Sequence, residues 1–79
     1  MYFVYLLECK DKSIYAGITT DVARRLAEHK AGTASRYTRS RQAMKIIYTE
    51  KCKDRSRALR REAAIKKLPR AQKLALVKK

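Results

Sequence analysis

The sequence predicts an α/β fold of the α+β kind: a three-stranded antiparallel sheet flanked by helices, in the order β-β-α-β-α-α. Three observations carry this expectation. The chain has only two glycines and one proline in 79 residues, so most of it is available for regular structure. Two runs rich in aromatic and β-branched residues stand near the start, separated by a polar turn cluster, and a third follows later. Between and after these runs, apolar residues recur at helical spacing. A chain of this length is expected to form one domain, 1–79, near the lower limit for folding without disulfides or metal.

The first strand is read from Tyr2 to Glu8, with Lys10, Asp11, Lys12 and Ser13 as the turn and Ile14 to Ile18 as the returning strand. Thr19, Thr20 and Asp21 offer helix caps, and Val22, Leu26 and His29 share one helical face, giving a helix from about Asp21 to Lys30 that ends near Gly32. Residues Thr33 to Gln42 carry Ser, Thr and three arginines without aliphatic periodicity and read as a basic loop. Met44 to Glu50 is the third strand. Asp54 caps a helix whose face carries Leu59, Glu62, Ala63 and Lys66. Pro69 suits the first position of a last short helix containing Leu74 and Val77.

Lysine and arginine number 21 against 7 acidic residues, a net charge of +14. The excess is uneven: +1 over residues 1–34, +3 over 35–50 and +10 over 51–79. Such a field favours a polyanion as partner. A membrane surface is disfavoured, because no long apolar run and no tryptophan is present. Met1 to Leu7 is too short for a signal segment, so the expected location is cytoplasmic. Cys9 and Cys52 are too few for a disulfide framework, and with a single histidine they cannot build a Cys/His zinc site. No obligate protein partner is evident.

Within this frame Tyr5, Tyr15, Arg25, His29 and Glu62 stand out. Tyr15-Ala16-Gly17 closes the hairpin, Arg25 and His29 follow that glycine by eight and twelve positions, and Glu62 is a carboxylate in a strongly basic segment. Each has an ordinary explanation: cross-strand aromatics, a solvated helix arginine, a histidine at the edge of the core, a helical ion pair. Their ordered set resembles the GIY-YIG nucleases, in particular small stand-alone members of the UPF0213 kind, over nearly the whole chain. Phe3-Val4-Tyr5 stands where the first signature is expected and Tyr15-Ala16-Gly17 matches the second, with Gly17 as the motif glycine. Two departures are visible. The first triplet lacks its glycine and isoleucine, and the chain has no asparagine for the phosphate-proximal position near the end of the domain, where Lys66, Lys67 or Gln72 are candidates.

The resemblance implies a metal-dependent DNA endonuclease, and the residue chemistry agrees. Phosphodiester hydrolysis needs a deprotonated water, neutralised phosphoryl charge and help for the leaving oxygen. The planar, permanently charged fork of Arg25 suits the second task. Glu62 is suited to hold one divalent metal, Mg²⁺ or Mn²⁺, with waters completing the shell, and the resemblance implies that this metal stabilises the leaving 3′ oxygen. Tyr5 is the first candidate for general base, with Tyr15 and His29 orienting water or phosphate. A phenol of pKa about 10 needs neighbouring cations for this role, and His29, which titrates nearer neutrality, competes for it.

Arg24, Arg36, Tyr37, Arg39, Arg41, Arg61, Lys66 and Lys67 are expected to bind nucleic acid, Tyr37 by stacking on an unpaired base and the cations by gripping phosphates. Single-stranded or branched DNA is favoured over long unbroken duplex, because 79 residues leave no room for a separate recognition domain. RNA stays open as a partner. The competing reading is a DNA- or RNA-binding protein that keeps the fold without catalysis.

Overall fold

The computed structural model describes residues 1–78. Its sheet contains β1 (Tyr2–Cys9), β2 (Ile14–Thr19) and β3 (Ala43–Cys52), in the spatial order β2-β1-β3 with both pairings antiparallel. Four helices flank it: α1 (Val22–Lys30), α2 (Arg36–Arg41), α3 (Arg55–Lys66) and α4 (Arg70–Val77). The antiparallel sheet with flanking helices is the expected architecture. Its addition is α2, which stands where the sequence reads as a basic loop.

The first strand takes the centre because it is apolar on both faces. Successive residues of a strand point to opposite sides. Val4 and Leu6 therefore join Ala16 and the α3 residues Ala58 and Ile65 in one buried cluster. Tyr5, Leu7 and Cys9 form a second cluster with Tyr15, Leu26, Ala43 and Ile46 packed against it. The β1–β2 register pairs Tyr5 with Gly17 and Leu7 with Tyr15, which sets the two motif tyrosines on the same face. The hairpin closes through Lys12 N–H to Cys9 O at 2.9 Å, with Lys12 at φ 71°. Both cysteines are free, Cys9 buried and Cys52 half-buried.

Local capping fixes the helices that follow. Asp21 accepts from Arg24 N–H at 3.0 Å and starts α1. Its other end is a Schellman motif: Thr33 N–H reaches Glu28 O and Gly32 N–H reaches His29 O, with Gly32 at φ +79°. That turn redirects the chain into α2, where Ser35 accepts from Tyr37 N–H at 3.1 Å. Gln42, at φ 60°, ends α2 and leads directly into β3. Asp54 caps α3 through Arg57 N–H at 2.8 Å, as expected. Pro69 is the N-cap of α4 and not its first helical residue.

Candidate active site

The site begins at the contact between the two motif strands. Gly17 lies opposite Tyr5, and a Cβ built on Gly17 would stand 2.5 Å from the Tyr5 oxygen and 2.6 Å from its Cζ. The glycine is needed because the Tyr5 ring lies across its α-carbon. Tyr5 thereby reaches α1, where its Oη and His29 Nε2 are 2.7 Å apart. His29 Nδ1 is 2.7 Å from Thr38 Oγ1 of α2. Tyr15 stacks edgewise on His29, with centroids 5.3 Å apart, and is tilted against Tyr5 at 6.5 Å. Two strands and two helices thus converge on one buried histidine.

Burial and charge set the protonation states. Burial pushes the Tyr5 phenol above its ordinary value of 10.0, against the pull of the Arg25 guanidinium. Burial also lowers the His29 imidazole below its ordinary 6.5, and Arg25 lowers it further. At neutral pH the pair is therefore a neutral phenol beside a neutral imidazole. Arg25 faces the Tyr5 oxygen from the same helix. Its Nη1 holds Glu28 at 3.0 Å, and its Nε is buried with no partner among the described residues. A buried guanidinium N–H without an acceptor is costly. A phosphoryl oxygen would satisfy it.

The sequence model of the GIY-YIG catalytic domain matches residues 1–75. The chain belongs to the GIY-YIG family. It is similar to the UPF0213 protein of Desulfotalea psychrophila, with 49% identity over 98% of this chain and 71% of that protein. The UPF0213 protein of Halobacterium salinarum is 51% identical over 96% of this chain and 99% of its own length. The solution NMR structure of the UPF0213 protein from Bacillus halodurans superposes with a TM-score of 0.61, at 42% identity, covering 99% of this chain and 84% of that one. GIY-YIG domains form a nuclease superfamily that acts on nucleic acid and generally uses divalent metals.

In this GIY-YIG chain Tyr5, Tyr15, Arg25 and His29 meet within one cluster. Glu62 comes from α3, the helix that packs on the Val4–Leu6 face. It makes no hydrogen bond or ion pair with the other four among the described residues, yet its charge is felt at Tyr5, whose pKa it raises. Glu62 Oε2 lies 3.5 Å from Lys66 Nζ, one turn on. Among the described residues no group of three or more His, Cys, Asp or Glu gathers to hold an ion. A metal here would take one hard carboxylate ligand from the protein and fill its shell with water and phosphate oxygens. Mg²⁺ binds in that manner, so the donor set fits.

The cations expected to bind nucleic acid divide into two groups. Arg61 Nε donates to Glu50 at 2.6 Å, and Tyr48 Oη donates to the other Glu50 oxygen at 2.7 Å. Burial draws Glu50 upward, but these two donors outweigh it and hold the carboxylate below its ordinary value. Arg61 and Lys66 are therefore already engaged by carboxylates. Arg24, Arg36 and Arg39 are exposed, as is Lys67. Tyr37 does not stand free: its ring packs on Tyr15 at 5.7 Å and carries the Arg41 guanidinium 4.0 Å from its centroid. Arg41 also pairs with Asp11 of the hairpin turn at 3.4 Å. Thr38 is the site residue that the sequence leaves unmarked. The available signal is Ser35, in an N-cap position three residues earlier.

Proposed function

We propose that this chain is a metal-dependent DNA endonuclease whose 79 residues act as one GIY-YIG domain. The observation that carries this reading is the buried Tyr5–His29 pair beside a guanidinium with an unpaired N–H. Tyr5 Oη meets the attacking water. As it takes a water proton, its own proton passes to His29 Nε2, so the base in effect is the pair. This assignment removes the difficulty of a phenol acting alone, since the low imidazole pKa leaves His29 unprotonated near neutrality. The water oxygen bonds to phosphorus, the bond to the 3′ oxygen breaks, and the leaving oxygen takes a proton from solvent. Arg25 neutralises the charge that builds on the phosphoryl oxygens. Tyr15 holds the His29 ring by edge contact. When bound at Glu62, Mg²⁺ or Mn²⁺ supplies Lewis-acid charge for the leaving 3′ oxygen.

Single-stranded or branched DNA is the proposed substrate. Support comes from the Tyr15–Tyr37–Arg41 stack, which runs outward from the site and ends in a flat guanidinium suited to an unpaired base. Arg24, Arg36, Arg39 and Lys67 supply phosphate contacts around it, and Arg61 and Lys66 join them when their carboxylate partners exchange for phosphate. The second reading, a nucleic-acid binder without catalysis, draws on the absent asparagine and on the lysine already paired to Glu62.

Cleavage of labelled single-stranded, duplex and branched DNA with Mg²⁺, Mn²⁺ or EDTA separates the two. Metal-dependent products are expected, lost in Glu62→Ala with DNA affinity kept and lost in Arg25→Ala with the fold kept. Binding with no product under any metal would establish the second reading.

A further inference from the structure

Thr38 falls in a segment that reads from the sequence as a basic loop, yet it is 0% exposed and touches the one histidine of the chain. A hydroxyl can donate to a ring nitrogen or accept from one, so the surrounding groups settle which nitrogen carries the proton, and they allow only one full assignment. In the first arrangement Tyr5 O–H donates to Nε2, Nδ1–H donates to Thr38 Oγ1, and Thr38 O–H donates to Ser35 O at 3.3 Å. Every proton then has an acceptor. The Ser35 carbonyl already receives Arg39 N–H and has a second lone pair for the hydroxyl.

In the reverse arrangement Thr38 O–H donates to Nδ1 and Nε2–H donates to Tyr5. The Tyr5 proton is then left without a protein acceptor among the described residues. Tyr5 is 1% exposed, and the hydrogen-bonding side chain that faces its oxygen besides His29 is Arg25, which can only donate. Leaving a buried donor unmet costs severalfold to about a hundredfold in population. That exceeds any preference of a free imidazole for one tautomer, so the first arrangement wins.

We propose that Thr38 is a positioning residue that holds neutral His29 in its Nδ1–H form and so keeps Nε2 open to accept the Tyr5 proton. The inference rests on the nuclease reading for its catalytic consequence, but not for the tautomer itself. In the proton transfer the Tyr5 O–H bond breaks and an Nε2–H bond forms, giving imidazolium. Nδ1–H still points at Thr38 Oγ1 after that step, so only the Tyr5–His29 bond exchanges donor and acceptor and the Thr38 end keeps its direction as charge develops. Helix α2 thereby has a defined task. Its cap at Ser35 and its short length set one hydroxyl against one ring, and the same Ser35 residue offers the carbonyl at which the relay of donors ends.

The deciding experiment is long-range ¹H–¹⁵N NMR of the uniformly labelled protein at neutral pH, where a single histidine leaves no assignment ambiguity. The expected wild-type pattern is protonated Nδ1 and bare Nε2. In Thr38→Val, which keeps the shape and removes the hydroxyl, each tautomer leaves one donor unmet, Nδ1–H in one and the Tyr5 O–H in the other, so the single pattern is expected to give way to a mixture with Nε2–H. Cleavage of single-stranded DNA with Mg²⁺ should then lose about 10²- to 10⁴-fold in kcat at unchanged KM, the range of an acid–base contribution. Thr38→Ser should restore both the tautomer and the rate. A wild-type protein carrying its proton on Nε2, or a valine variant whose ring stays wholly in the Nδ1–H form, overturns the proposal. If Thr38→Val does not fold, the wild-type tautomer and the serine variant still decide. A wild type that shows the Nδ1–H pattern and cuts nothing removes the nuclease reading and leaves the tautomer assignment standing.

Discussion

At Gly17 the requirement is steric. An alanine there would force the Tyr5 ring to shift, because the new Cβ would lie well inside contact distance of Cζ and Oη. The ring cannot slide freely, since its hydroxyl is held by His29 and its body is packed beneath the helices. Gly17→Ala is expected to cost about 1–3 kcal/mol by overpacking and to abolish cleavage, checked by urea unfolding beside the DNA assay. Wild-type stability with full activity would mean that Tyr5 does not occupy this place. His29 makes a second prediction. Its folded pKa is depressed, chiefly by burial, so the unfolded state takes up a proton first as pH falls. The stability contributed by the neutral ring is complete above 6.5 and is lost progressively below it. Urea midpoints should therefore drop as pH falls below 6.5. A His29→Gln protein should lack that slope.

At the scale of elements, α2 is the least conspicuous helix and the most consequential. It has six residues and buries only Thr38. Helices this short do not persist by propensity alone, so the cap and the tertiary contact must hold it. Ser35→Ala removes the side-chain acceptor for Tyr37 N–H and is expected to cost about 1 kcal/mol. Because Thr38 sits in the first turn after that cap, the loss should fall on catalysis more heavily than on unfolding. A kcat reduced at least about tenfold with a small change in urea midpoint is the expected result, and an unchanged kcat would detach α2 from the chemistry. The central strand poses the opposite case. β1 is apolar on both faces, and the pattern that makes it so is visible in Tyr2 to Leu7 without any coordinates.

For the molecule as a whole, charge outweighs every other surface property. A net +14 is carried on a body of 29 × 26 × 19 Å, so many cations lie within one or two Debye lengths of each other, about 8 Å at physiological salt. DNA binding should consequently weaken steeply with salt, since each neutralised phosphate releases counterions. A plot of log affinity against log salt with no appreciable slope would remove the electrostatic surface from the account. Arg61 and Lys66 should contribute less to this slope than Arg36 or Arg39, because Glu50 and Glu62 already hold them. The distinction is invisible in the chain, where all four read as equivalent cations of a basic protein.

The sheet, the capped helices α1 and α3, and the candidates Tyr5, Tyr15, Arg25, His29 and Glu62 are legible in the chain without coordinates. These follow from local spacing: period two in the strands, a cap for each of the two helices, an apolar face in α1 and a signature read at fixed offsets, whereas α3 buries Ala58 and Ile65 and leaves Leu59 of the expected face exposed. The sequence did not determine α2, which lacks the aliphatic repeat that marks a helix, nor that Arg61 would turn to Glu50 while Arg41 covered Tyr37. Those outcomes depend on which side chains the fold brings together across many residues. The order of protons along Tyr5, His29 and Thr38 belongs to the same class. Residues at positions 5, 29 and 38 share no local pattern, and only when all three are buried together does the shortage of acceptors force one tautomer.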